Sequence, residues 1–112
     1  ILIKLHNNFC KTIKIIAKKN KLKLNIIGLV GIPVLNFIDC DNDLIKNFIT
    51  QEMLKKNILA SNSIYLKIFH NKKSMQKYYK NIDRIFKVIK KEKNLEKLIE
   101  QPLTNKKFYR LN

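Results

Sequence analysis

Tryptophan is absent from this chain, and arginine, glycine, proline, cysteine and histidine occur only twice each. Each shortage removes a class of function. Gly28-Leu29-Val30-Gly31 is too short for a dinucleotide or phosphate loop, and no helical pattern follows it. Cys10 and Cys40 stand far apart with no CxxC, so they read as incidental thiols of a reducing compartment, and a cytoplasmic protein is expected. His6 and His70 form no HExxH, and neither has a second histidine at four-residue spacing, so no metal site is expected. The eight carboxylates include Glu92, Glu96 and Glu100, whose spacing places them on a solvated helical face rather than in a catalytic pair. No apolar run approaches the ~18–20 residues needed to cross a bilayer.

What the chain has is lysine. The formal net charge is +16, and lysine supplies all but two of the 24 basic residues. Isoleucine, lysine and asparagine together make up nearly half of the sequence, the bias an AT-rich genome imposes. Arginine is the residue preferred for bidentate phosphate and guanine contacts. Its scarcity makes the charge read as solvated faces, and a nucleic-acid partner is not the favoured expectation.

At 46% hydrophobic and 112 residues, the chain has material for one small core, so residues 1–112 are expected to form a single domain. It opens on Ile1 with a helical pattern already running, which reads as a piece of a longer protein. Leu2, Leu5, Phe9, Ile13 and Ile16 recur at three and four, predicting a helix over 1–19. From Leu22 the period changes to two, predicting a strand over about 22–26. Gly28 and Gly31 are expected to bracket a turn, with a second strand over 32–38 and Pro33 at an edge or bulge. Asp39-Cys40-Asp41-Asn42-Asp43 fails as a calcium loop, because Leu44 and Thr50 stand where Gly and Glu are required. It reads as a helix N-cap. That helix, with the stripe Ile45, Phe48, Ile49 and Met53, is expected to reach Lys56, with Asn57 in a left-handed conformation.

Ile58 to Ala60 reads as extended and Ser61-Asn62-Ser63 as a polar turn. Ile64, Leu66 and Ile68 alternate with Tyr65, Lys67 and Phe69, predicting a third strand that ends at His70. Asn71 or Ser74 caps a long helix with the stripe Met75, Tyr78, Tyr79, Ile82, Phe86 and Ile89. Leu95, Leu98 and Ile99 form a last apolar turn, Pro102 ends it, and 103–112 is a tail. The expected fold class is α+β: a small antiparallel sheet of about three strands with helices packed on one face, in the order α-β-β-α-β-α. No complete catalytic set is present. Three roles remain open on residues alone: part of an enzyme, a basic nucleic-acid module, or a domain that buries its sheet against another protein.

Gln51 to Ser61, the apolar stretch Ile64 to His70 and the helix through Ile82-Asp83 to Ile89 resemble, in that order, the C-terminal small domain of class III pyridoxal-phosphate aminotransferases. The similarity is closest to the glutamate-1-semialdehyde aminomutase branch. Gly28, Gly31 and Val34 to Phe37 resemble the hairpin that opens that domain, and Phe108 to Asn112 the endings of some members. Asn57 stands where the family usually has Gly, Asn71 where Thr often follows the His, and Lys72, Lys73 and Gln76 where acids are usual.

The resemblance implies the C-terminal portion of a fold-type I enzyme that transfers an amino group on an amino or semialdehyde substrate. Pyridoxal 5'-phosphate would be held by a large domain outside this chain, so no catalytic or cofactor-binding residue is expected here. The implied partners are the chain's own large domain and, for the whole enzyme, a second copy in a homodimer. Ser61, Asn62 and Ser63 are the candidates for facing the substrate cleft. His70 is expected to be structural at the strand end.

Overall fold

The computed structural model describes residues 1–69 and 71–100. Three helices and a two-stranded antiparallel sheet form an α+β unit: α1 (Leu2–Lys19), β1 (Leu24–Leu29), β2 (Ile32–Phe37), α2 (Asn42–Leu54) and α3 (Lys72–Lys91). A single 3-10 turn, Leu95–Leu98, follows α3. The helices occupy one face of the sheet, and their apolar stripes meet there with Leu35 and Phe37. Tyr78, Ile82, Ile85 and Phe86 from α3 are almost wholly buried in this core, with Phe9 and Ile13 from α1 and Ile49 and Met53 from α2. The expected stripes are borne out except at Leu2, which is exposed. Tyr78 is core and Tyr79 rim, and both rings pack on Phe9.

Local chemistry ends the elements where expected. Asp41 caps α2 by accepting from the Leu44 N–H at 3.2 Å, and Asn71 caps α3 through the Ser74 N–H at 2.9 Å. Asn57 has φ +59 and turns the chain after α2, which stops at Leu54, slightly before the expected Lys56. Asn42 adds a clamp that the residues did not announce. Its amide donates to the Phe37 carbonyl at 3.0 Å and accepts from the Phe37 N–H at 2.8 Å, fixing the end of β2 to the start of α2.

The hairpin differs in detail from expectation. β1 begins later and runs through Gly28, which pairs with Pro33 inside the ladder, so only Gly31 lies in the turn. Gly28 has φ +98, and a Cβ there would sit 2.5 Å from the Ile32 carbonyl oxygen.

The third strand is a correction. Of Ile64 to Phe69 none is in a strand, and only Ser63 makes an isolated antiparallel bridge, to Val34. The backbone still runs along the free edge of β2. Leu35 N–H donates to Asn62 O at 2.7 Å, Ile64 N–H to Pro33 O at 3.3 Å, and Leu66 N–H to Gly31 O at 3.0 Å. Pro33 explains why pairing goes no further. Its carbonyl points to this edge, so its nitrogen does too, and that nitrogen has no proton to give. The neighbouring donor, Gly31 N–H, is taken by His6 Nδ1 at 3.0 Å. After Leu66 two tight turns close, Ile68 N–H to Tyr65 O and Phe69 N–H to Leu66 O. They reverse the alternation, so Phe69 is buried and Ile68 is exposed.

One electrostatic knot ties α1 to α3. Asn20, buried at the end of α1, donates to Asp83 Oδ1 at 2.8 Å, while Lys19 and Lys87 lie 3.2 and 2.9 Å from the same carboxylate. Hydrogen bonds from Asn20, then Lys87, outweigh the opposing effect of burial, and with Lys19 they pull the Asp83 carboxyl down to about 2. In the unfolded chain the same group takes its proton near pH ~4. The knot's contribution is therefore complete above about pH 4 and fades as the pH falls toward 2. Urea midpoints measured from about pH 5 to about pH 2 should fall more steeply for the native chain than for Asp83→Asn. The difference should be on the order of 1 kcal/mol, because the lysine ends are exposed.

Candidate functional site

The candidate cleft residues lie where the 58–66 segment meets β2. Ser61 and Ser63 line a shallow groove of about 270 Å³ with Thr50, Leu54, Leu59, Ala60 and Tyr65. The Ser61 hydroxyl closes a small turn, accepting from the Ser63 N–H at 3.3 Å and lying 3.4 Å from the Ser63 hydroxyl. Asn62 is placed differently. Its backbone is locked by the 2.7 Å bond from Leu35 N–H. Its side-chain amide makes only long contacts, 3.5 Å to the Leu35 carbonyl and 3.4 Å to the Ser61 hydroxyl. The turn thus presents a firmly held backbone with a weakly engaged carboxamide, a group that both donates and accepts. All three residues are half-buried. His70 lies outside the described residues.

Beside this turn lies the largest departure from an ordinary small α+β surface. The face of the sheet away from the helices is uncovered, polar at the Asn25–Asn36 pair and apolar toward the hairpin turn. The cross-strand pairs Ile27–Val34 and Leu29–Ile32 lie on it. Ile27, Leu29 and Val30 are 53%, 74% and 51% exposed, and Tyr65, on the adjoining segment, is 58% exposed. Scattered exposed apolar residues are ordinary, whereas a contiguous set on one sheet face marks a surface made to be covered.

The sequence carried a signal for this face. Residues 26–35 contain no polar side chain at all. An antiparallel strand with one solvated face alternates, whereas an unbroken apolar run reads as buried on both faces. Following Leu22, Leu24 and Ile26 alone found the inner face and missed the outer one.

Comparison of the chain with known protein families, with curated proteins and with solved structures finds no match in any of the three. The residues themselves therefore carry the functional argument.

Gln51 and Glu52, which begin the stretch resembling the aminotransferases, do structural work. The Gln51 amide accepts from Glu100 N–H and donates to Leu98 O, both at 2.8 Å, pinning the segment after α3 to α2. Glu52 meets Arg84 of α3 at 3.1 Å and Lys55 at 2.9 Å. Burial opposes its charge, but hydrogen bonds from Lys55, Gln51 and Arg84 prevail and hold the carboxyl below its ordinary value. None of these groups opens onto the Ser61–Ser63 groove.

A Schiff-base lysine requires a buried amine in a pocket that also cradles a phosphate. Every described lysine is exposed, so these residues do not fit the cofactor by themselves. Among the described residues no group of three His, Cys, Asp or Glu side chains converges as a metal site, and no helix is long and apolar enough to cross a membrane.

Proposed function

We propose that this chain is the C-terminal small domain of a class III pyridoxal-phosphate aminotransferase or aminomutase, acting in amino-group transfer together with a large domain that holds the cofactor. The observation that carries the reading is the open apolar sheet face beside the Ser61–Ser63 turn. A domain with helices on one side of its sheet and, toward the hairpin end of the other side, an exposed apolar surface is built to lean on a neighbour. In this reading the neighbour is the enzyme's own large domain, and the Asn62 carboxamide faces the cleft between them. Asn62 would there bind and orient a polar group of the substrate, with Ser61 and Ser63 shaping its surroundings. The cofactor, when bound to the large domain, supplies the electron sink of the reaction.

The left-handed Asn57 after α2, where the family usually has Gly, supports the same reading, while the strand expected over 64–69 does not form. The nucleic-acid alternative has less support. Arg84, the one arginine among the described residues, is paired with Glu52 rather than free for a phosphate or a base. Tyr65 is the lone aromatic on the open sheet face among the described residues, too few for a base-stacking platform.

Thiol labelling tests the docking directly. With Cys10 and Cys40 changed to serine, Leu29→Cys should react rapidly in the isolated chain. In the longer polypeptide that includes the large domain it should react at least about tenfold more slowly, because docking buries the position. Equal rates in the two proteins would overturn the docking.

A further inference from the structure

At the far end of the sheet from the hairpin turn, a second groove opens between the C-terminal end of α1 and the start of β1. It measures about 490 Å³, and its floor is apolar: Ala17, Leu22, Leu24 and Ile38. Its rim carries Lys14, Lys18, Lys21 and Lys23. None of these four lysines forms an ion pair among the described residues, whose ion pairs involve Lys19, Lys55, Arg84 and Lys87. Asp39, next to Ile38, is exposed and forms no ion pair there either. Lys18, in the last turn of α1, has a local role in complementing the helix dipole. Lys14, Lys21 and Lys23 lie outside that turn. Lys21, with φ +58, marks the bend that carries the chain from α1 back toward the groove floor at Leu22.

We propose that this groove docks an acidic peptide segment of another protein, with an apolar side chain on the floor and carboxylates on the lysine rim. The proposal does not rest on the aminotransferase reading, which concerns the other end of the sheet. Charge complementarity selects the occupant: four cationic groups without anionic partners among the described residues call for several negative charges. The floor selects further. No aromatic or arginine lines the groove, so nucleic-acid bases find neither a stacking surface nor a bidentate partner. Leu22 and Leu24 are half-buried and Ile38 is the one exposed large apolar side chain of the lining, too little to insert into a lipid layer as a wedge.

The probe is a fluorescent peptide of glutamates with interspersed leucines, titrated with the 112-residue chain and followed by anisotropy. Binding should saturate, weaken with added salt, and fall at least about tenfold for the Lys14→Glu, Lys23→Glu double variant. A control reverses the same charge at Lys73 and Lys80. Those residues line a groove on α3 with Asn71, Ser74, Gln76 and Lys77, and no aliphatic or aromatic residue lines it. This control should leave binding nearly unchanged, and circular dichroism of both variants checks that they fold. The proposal is overturned if the peptide does not bind or if the two double variants weaken it equally. It is likewise overturned if a leucine-free polyglutamate binds as tightly, or if a single-stranded oligonucleotide or anionic vesicles bind more tightly at this groove.

Discussion

Replacing Phe86 with alanine is expected to leave the chain largely unfolded. Phe86 is fully buried on α3, and its ring meets Phe37 of β2 edge-on, with centroids 5.6 Å apart. It is a principal bond between the helical layer and the sheet. Truncating a buried phenylalanine costs about 3–5 kcal/mol, through lost transfer energy and the cavity left behind. A domain of this size holds only a few kcal/mol more than that in total. Few neighbours can fill the gap, since β2 is clamped by Asn42 at its end and paired to β1 along its length. Urea denaturation followed by circular dichroism should show the midpoint collapsing toward zero denaturant. Phe86→Leu, which keeps most of the volume, should retain a clear cooperative transition.

Gly28→Ala is expected to have the second largest effect, on the order of 3 kcal/mol, through the backbone rather than the core. At φ +98 an alanine is strained whatever surrounds it, and its Cβ would meet the Ile32 carbonyl oxygen at 2.5 Å. That oxygen belongs to the paired strand and cannot move without breaking the ladder. Gly31 supplies the contrast. It too has positive φ, but the nearest atom to a Cβ there is in the Leu2 side chain, at 2.9 Å, which has freedom to rotate. Thermal denaturation should therefore rank Gly28→Ala well below Gly31→Ala. The reverse order would mean that the hairpin is not held as described.

The helices and the first hairpin were legible because their signals are local. Period, caps and the left-handed Asn57 each depend on a few adjacent residues. The third strand was misread because its outcome depends on its neighbour. Ile64 to Phe69 has strand-like alternation, yet the edge it must pair with lacks two donors, one missing at Pro33 and one already given to His6. Nothing within 64–69 encodes that. The same holds for Asn20 with Asp83 and for Gln51 with the segment after α3, pairings across long stretches of sequence. The Ser61–Ser63 turn was found from its polar composition, but the difference between Asn62 and its neighbours needed the position of Leu35. The open face also has a readable signal, the uninterrupted apolar run over 26–35.

That face is the centre of the account, since a small domain of a larger enzyme and a free-standing protein differ in what covers it. The most direct measurement is made on the natural protein, purified from its source with an antibody raised against this chain, recording intact mass and visible absorbance together. The expected result is a longer polypeptide with the absorbance of a protein-bound pyridoxal-phosphate Schiff base, fixed by borohydride onto a lysine outside residues 1–112. A mature protein of 13.3 kDa without cofactor absorbance would contradict it.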